Sequence, residues 1–391
     1  MTELEGLFPP KLRERLLELR RDIHRHPELA FGEERTAERL HAELAALEPA
    51  HLDVVAGTGI IARIEGEDAD APTVVVRGDI DALPIQERTD LPYASETPGV
   101  MHACGHDVHA AWTVGAAHLL ARQPARGDVL ILLQPAEETA LGATAVLKSG
   151  VLEGAEAIFG AHVDRRFPVG QVVADAGPVA AAADEFTIEL VGSGAHGARP
   201  HEGVDPIVGA GALITALQTI VSRRLRPGVP AVVTVGRLQA GTAPNIIPDA
   251  VRLEGTIRSL GPESRDLLYD ELLRIAEGTA AAHGLEVRNS VNLGPPPLVN
   301  AEEPVGWARQ AATSVLGAEA LVPLGQPNMG GEDFAFYLEQ MTGCFLRIGA
   351  REEGGDFIAA HSPRFYAADD SIFVGAAVLA ETARIATRSL R

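Results

Sequence analysis

The sequence predicts an α/β fold: a large domain on a mostly parallel central sheet, with a smaller ferredoxin-like βαββαβ domain inserted into it. Three observations lead there. Apolar runs suited to buried strands alternate with segments of helical periodicity over the first half of the chain. Polar motifs follow those runs directly, at the carboxyl ends where parallel sheets hold their ligands. After about residue 180 the pattern changes to β-α-β-β-α-β and closes on Gly294-Pro295-Pro296-Pro297, a stiff hinge. At 391 residues the chain also exceeds what one hydrophobic core serves. The large domain is assigned to 1–174 and 294–391, and the insertion to 175–293.

The elements follow in order. Leu12, Leu16, Leu19 and Ile23 recur at helical spacing and give an opening helix that stops near His26-Pro27. A second helix runs from Glu33 to Leu47, then strands from Gly59 to Ile64 and from Thr73 to Val76. Ala110–Ala121 reads as a helix, Asp128–Leu133 as a strand, Thr139–Ser149 as a helix and Ala157–Phe159 as a short strand. In the insertion, strands are expected at Phe186–Val191, Val229–Leu238, Val251–Ser259 and Leu285–Leu293. Helices are expected there at Pro206–Arg224 and Glu263–Ala282.

Composition narrows the function. Acidic residues outnumber basic ones by 54 to 33, and the net charge of −21 repels phosphate backbones and anionic membranes. Neither nucleic acid nor membrane is therefore an expected partner. The N-terminus, Met1-Thr2-Glu3-Leu4-Glu5, does not read as a secretory signal, and no uninterrupted apolar run approaches a membrane span. A cytoplasmic location is expected. Of the two cysteines, Cys104 is flanked by metal-ligating residue types, so a disulfide to Cys344 is not expected.

The chemistry concentrates in a few motifs. Met101-His102-Ala103-Cys104-Gly105-His106-Asp107 sets a thiol two residues from an imidazole. Alone, that pair is as easily a buried thiol and a capping histidine. Glu137 and Glu138 follow an apolar strand and Gln134-Pro135, His162 follows a further strand, and His361 precedes Ser362-Pro363. Thiolate, imidazole and carboxylate groups at strand ends make a mixed-ligand metal centre, with one carboxylate left for proton transfer. Asp79 and Asp81 lie two apart after a strand, where they can ligate or orient a ligating histidine. His102 and His109 are given structural roles beside the motif, and His24, His26, His41 and His118 surface or packing roles. In the insertion, the glycine-rich loop Gly192–His201 lacks the lysine and hydroxyl of a phosphate-binding loop. A histidine on such a loop suits oxyanion stabilisation instead, and Arg258 suits a substrate carboxylate.

Taken together, Arg77–Pro84, Met101–Asp107, Gln134–Glu138, Gly160–Val163, Gly194–His201, Gly241–Asp249, Gly255–Arg258 and Gly330–Phe334 resemble the M20 metallopeptidases. The branch they resemble is that of the amidohydrolases acting on hippurate, N-acyl-amino acids and auxin conjugates. Arg20–Leu29 resembles the same branch. The resemblance implies two divalent metal ions held by Cys104, His106, Glu138, His162 and His361. Zn²⁺ suits those ligands best, with Mn²⁺, Co²⁺ or Ni²⁺ as alternatives. It further implies Glu137 as general base and His196 as the histidine that polarises the scissile carbonyl, supplied in dimeric relatives by the partner subunit. Asp81 is grouped with these catalytic positions, and Asn245, Arg258 and Gly331 with substrate binding. The sister peptidases carry a metal-binding histidine where Asp79 stands, so Asp79 is not counted as a ligand. Val108, Thr139–Gly142, Ala161 and Asp164 depart from the usual pattern without removing a ligand. The function implied is hydrolysis of an N-acyl-L-amino acid by a homodimer formed through the inserted lid domain. The rivals are a dipeptidase or carboxypeptidase of the same family, a metal-containing binding protein without turnover, and a nucleotide-dependent α/β enzyme. The last is disfavoured by the missing glycine fingerprint, and an intact Glu137 speaks against the binding protein.

Overall fold

A computed structural model of the protein describes residues 2–390. Its main elements, in chain order, are α1 (Pro10–Arg25), α2 (Glu34–Ala45), β1 (His51–Val55), β2 (Gly59–Ile64) and β3 (Thr73–Asp79). Then come α3 (His106–Arg122), β4 (Val129–Gln134), α4 (Gly142–Ser149), β5 (Ala155–Pro168) and β6 (Val172–Val173). These are followed by β7 (Ala182–Val191), α5 (Pro206–Thr219), β8 (Ala231–Ala240), β9 (Ala250–Ser259), α6 (Pro262–Ala282) and β10 (Glu286–Asn292). The chain closes with α7 (Glu302–Leu316), β11 (Thr342–Arg351) and α8 (Ser371–Ser389).

The chain divides into two compact units. The first comprises residues 1–177, 299–326 and 333–391, and the second 178–298 and 327–332. The sequence reading placed 294–391 wholly in the first unit. The excursion of 327–332 into the second has a local cause: the Asn328 amide donates to Val179 O at 3.1 Å, and the Ala181 amide to Gly330 O at 3.1 Å. Backbone pairing of this kind leaves no trace in hydrophobic periodicity.

In the first unit a seven-stranded sheet runs in the order β1-β2-β4-β3-β5-β11-β6. The four inner strands β4, β3, β5 and β11 are parallel; β1, β2 and β6 join antiparallel at the edges. β3 and β4 are buried almost throughout, as strands covered on both faces require. On one face, Trp112 of α3 lies over Gly375 of α8, where a Cβ would come within 2.4 Å of its ring. Glycine is needed there because the helices meet too closely for a side chain.

β5 is far longer than the short strand expected at Ala157–Phe159. Its second half continues as strand because β11 pairs with it in parallel, setting Arg347 beside His162. His162 thus stands within a strand and not after one. α3 likewise begins at His106 itself, because Gly105 takes φ 91° and turns the chain into the helix. β1 escaped the sequence reading: it is an exposed edge strand with no apolar run to mark it.

The second unit carries a four-stranded antiparallel sheet in the order β8-β9-β7-β10. Leu190, Leu213, Leu217, Leu253, Leu268 and Leu272 fill the core between that sheet and α5 and α6. By length and composition alone, the stretch Pro206–Arg224 would cross a membrane. The sequence reading recognised no such run; Ala210, Leu213 and Leu217 are buried while Ile207 and Val208 are exposed, so one face of the helix packs on the sheet.

Candidate metal centre

Five segments of the first unit deliver the site, β5 among them with His162. β3 ends at Asp79 and leads to Asp81. The loop before α3 carries Cys104, and Gly105 lets it lie against β5: a Cβ there would sit 2.5 Å from Val163 Cγ2. After β4 the chain turns through Ala136, at φ 56°, and presents Glu137 and Glu138. His361, at φ 66°, comes from the irregular segment between β11 and α8. Its amide donates to Ala103 O at 2.8 Å, which fixes it against the Cys104 loop. That segment is also held by buried Arg165 of β5, which donates to Asp356 O at 2.7 Å, Tyr366 O at 3.1 Å and Glu352 at 2.9 Å.

The five residues expected as ligands come together. Cys104, His106 and His162 form one triad of converging donor atoms, and Cys104, Glu138 and His361 form another, each within 4.8 Å. Cys104 Sγ lies 3.2 Å from His162 Nε2, and His361 Nε2 lies 3.4 Å from Glu138 Oε1. The two triads share the thiol. Glu137 stands beside them, its Oε2 3.9 Å from His106 Nε2. The Asp333 amide donates to Glu137 Oε1 at 3.3 Å, which turns that carboxylate.

Two of the three histidines, His106 and His162, have their other nitrogen fixed by the protein, which sets the nitrogen that faces the centre. His106 Nδ1 donates to Asp81 O at 2.9 Å and to Asp81 Oδ1 at 3.1 Å. Asp81 Oδ2 accepts from the Glu138 amide at 2.9 Å, so one carboxylate orients two of the expected ligands. His162 Nδ1 donates to Val163 O at 2.7 Å. The Val163 amide donates in turn to His109 Nε2 at 3.0 Å, and His109 Nδ1 to Asp79 at 2.5 Å. Asp79 also accepts from Arg77 at 2.5 Å and lies 3.8 Å from His106 Nε2. Burial raises its carboxyl, but the charges of His106 and Arg77 prevail and hold it well below the usual carboxylate range.

The donor set fits divalent ions. His106 Nε2 and Glu138 Oε1 are buried 3.9 Å apart with no hydrogen-bond partner, an arrangement that costs free energy unless a cation completes it. Burial, with the Glu138 carboxylate nearby, pushes the Cys104 thiol up to about 12, so a thiolate there needs a cation as counter-charge. Cys104 and Cys344 are both free.

The remaining expected residues belong to the second unit, and there they form two pairs. His196 registers opposite Ile246, and the Gly197 amide donates to Asn245 O at 2.8 Å, so His196 and Asn245 share one exposed corner. Arg258 Nε donates to Thr256 Oγ1 at 3.2 Å, and its NH1 lies 3.8 Å from where a Cβ on Gly331 would stand.

Sequence reasoning passed over several residues that build the site. Buried Asp333 accepts from Gln134 at 2.8 Å, Arg77 at 2.9 Å and the Ala143 amide at 2.9 Å, bracing the turn from behind. Glu33 reaches the same turn from the N-terminal segment. Arg20, fully buried, binds Asp107 at 2.6 Å and Asp369 at 2.7 Å beside the start of α3. A charge in an amphipathic segment reads as a surface residue, so only the packing exposes these roles.

Comparison with known proteins agrees with this geometry. Residues 75–385 match the family described as Peptidase family M20/M25/M40. An N-acetylcysteine deacetylase of Bacillus subtilis (strain 168) is 40% identical over 382 residues, covering 96% of this chain and 98% of that protein. The IAA-amino acid hydrolase ILR1-like 2 of Arabidopsis thaliana is 35% identical over 388 residues, covering 97% and 87%. Among solved structures, the Bacillus subtilis YXEP protein, described as a dinuclear metal binding peptidase from the M20 family, superposes with a TM-score of 0.87. It is 36% identical and the match covers 98% of this chain and all of that one. The chain belongs to peptidase family M20/M25/M40, and it is a metal-dependent amidohydrolase.

The double grip of Asp81 generates a prediction. In Asp81→Asn one carboxylate oxygen becomes an NH₂, so either the Glu138 amide loses its acceptor or a donor faces His106 Nδ1, which then keeps only Asp81 O. Metal affinity, titrated on the apo protein, should fall by about tenfold or more with the circular-dichroism spectrum unchanged. Wild-type affinity would remove Asp81 from this role.

Proposed function

We propose that this amidohydrolase cleaves the amide bond of N-acyl-L-amino acids, releasing a carboxylic acid and a free amino acid. The observation that carries the proposal is the turn at Glu137-Glu138, where both carboxylates lie 3.9 Å from His106 Nε2 and Glu138 also converges with Cys104 and His361. The relatives named as an N-acetylcysteine deacetylase and an IAA-amino acid hydrolase support the substrate class. Two divalent ions, Zn²⁺ by the softness of the thiolate with Mn²⁺, Co²⁺ or Ni²⁺ as alternatives, would be held by Cys104, His106, Glu138, His162 and His361. When bound, such ions polarise the amide carbonyl and acidify water. Glu137 takes the proton of the attacking water and delivers it to the departing nitrogen, which must leave as an amine.

The second unit supplies the recognition groups in this reading. His196 donates to the carbonyl oxygen as it gains charge. Arg258, with Gly331 giving its guanidinium room, pairs with the α-carboxylate, and Asn245 contributes an amide to the same substrate. The unit also carries the surface for a homodimer. Val208 of α5 and Leu238 of β8 are 57% and 49% exposed, and β8 is an edge strand with one side unpaired. An unpaired edge flanked by apolar side chains suits a second copy of itself. The reading of this unit as a ferredoxin-like lid is supported by its β-α-β-β-α-β order of elements.

Two experiments test the function. Metal-replete Glu137→Gln should retain its metal and lose about 10²-fold or more in kcat on N-acetyl amino acids, because an amide cannot accept the proton. Near-normal turnover would remove Glu137 from the reaction. Arg258→Ala should raise KM about tenfold for substrates with a free carboxylate and leave their amidated analogues nearly unchanged. Equal weakening of both would dismiss the carboxylate anchor.

A further inference from the structure

We propose that Glu33 is a positioning residue for the Glu137-Glu138 turn: its buried carboxylate clamps the Ala136 amide and so sets where the two active-site carboxylates point. Glu33 stands directly before α2, in a segment that contributes no donor to the metal nest. It is fully buried. One of its oxygens accepts from the Ala136 amide at 2.9 Å and the other from Thr58 Oγ1 at 2.5 Å.

Ala136 is where the turn requires outside support. Its φ of 56° lies in the left-handed region, which an alanine occupies only when its surroundings impose it. The carbonyl side of that residue is tied locally, since Ala136 O accepts from the Gly142 amide at 3.1 Å and from Thr139 Oγ1 at 3.1 Å. The amide side has Glu33 as its partner. Downstream, Asp81 holds the Glu138 amide and the Asp333 amide holds Glu137, so Glu33 fixes the entry to a turn whose exit is already fixed. A buried carboxylate is costly, and two neutral donors are modest compensation. Packing alone would be served better by an apolar side chain. What the carboxylate adds is reach and two acceptors in one plane.

The kinetic consequence rests on the amidohydrolase reading; the structural one does not. Two variants separate length from charge. Glu33→Gln keeps the reach: its carbonyl accepts from Ala136, its NH₂ donates to Thr58, and the Thr58 hydroxyl turns away. Glu33→Asp keeps the charge but is one methylene short. Kinetics of the metal-replete full chain on N-acetyl amino acids, metal content and amide hydrogen exchange of the peptide over Leu133–Thr139 are measured for both. The expected result for Glu33→Asp is a loss in kcat of about tenfold or more, with KM and metal content near wild type and faster exchange in that peptide. Glu33→Gln should match wild type within about threefold and keep its protection. A purely electrostatic role predicts the reverse order, and that result would overturn the clamp. So would wild-type kcat and protection in Glu33→Asp. If wild-type protein hydrolyses none of the substrates, the function falls and exchange alone judges the clamp. If Glu33→Asp does not fold, a tenfold loss in Glu33→Gln would still overturn it.

Discussion

Charge buried at the carboxyl ends of parallel strands is the constraint on which this structure depends. Asp79, Asp81, Asp107 and Asp333 are almost wholly removed from water, as are His106, His109, Arg20 and Arg77. None of these groups is tolerated there alone, because stripping water from an ion costs more than any single contact returns. The pairings that result are also the scaffold of the site. Arg77 binds Asp79 and Asp333; Asp79 fixes His109, which fixes the Val163 peptide and through it His162. The requirement to satisfy buried charge and the requirement to aim the ligands are met by the same bonds.

His106 Nε2 and Glu138 Oε1 are among the buried polar atoms left without a hydrogen-bond partner, and both belong to the proposed ligand set. Two unpartnered atoms that lie 3.9 Å apart are an arrangement that a cation would complete. The adjacency of Glu137 and Glu138 then has a simple physical reading. Successive residues in a turn point in different directions, so one carboxylate can enter the donor nest while the next faces substrate. The turn needs its left-handed Ala136, and that backbone needs partners on both sides.

Much of this was legible in the sequence. The alternation of apolar runs and helical periods marked the inner strands, and Cys104, His106, Glu138, His162 and His361, singled out as metal-ligand residue types, converge in the fold. What stayed hidden depends on partners distant in the chain. His162 lies inside a strand because β11 extends β5 from the other side. The exposed edge strand His51–Val55 has no buried face to write an apolar pattern. The segment 327–332 joins the second unit through backbone bonds, which any sequence can make. Arg20 and Asp333 lie in motifs that the resemblance marked and Glu33 does not, but for all three only tertiary packing shows that they face inward.

The central claim is that the Cys104 thiol is shared by two donor triads and binds metal as a thiolate. X-ray absorption at the metal edge of the zinc-loaded protein tests it most directly. The account predicts a sulfur scatterer at about 2.3 Å beside nitrogen and oxygen at about 2.0–2.2 Å, with the sulfur shell lost in Cys104→Ser. A spectrum fitted by nitrogen and oxygen alone, identical in wild type and Cys104→Ser, would contradict it.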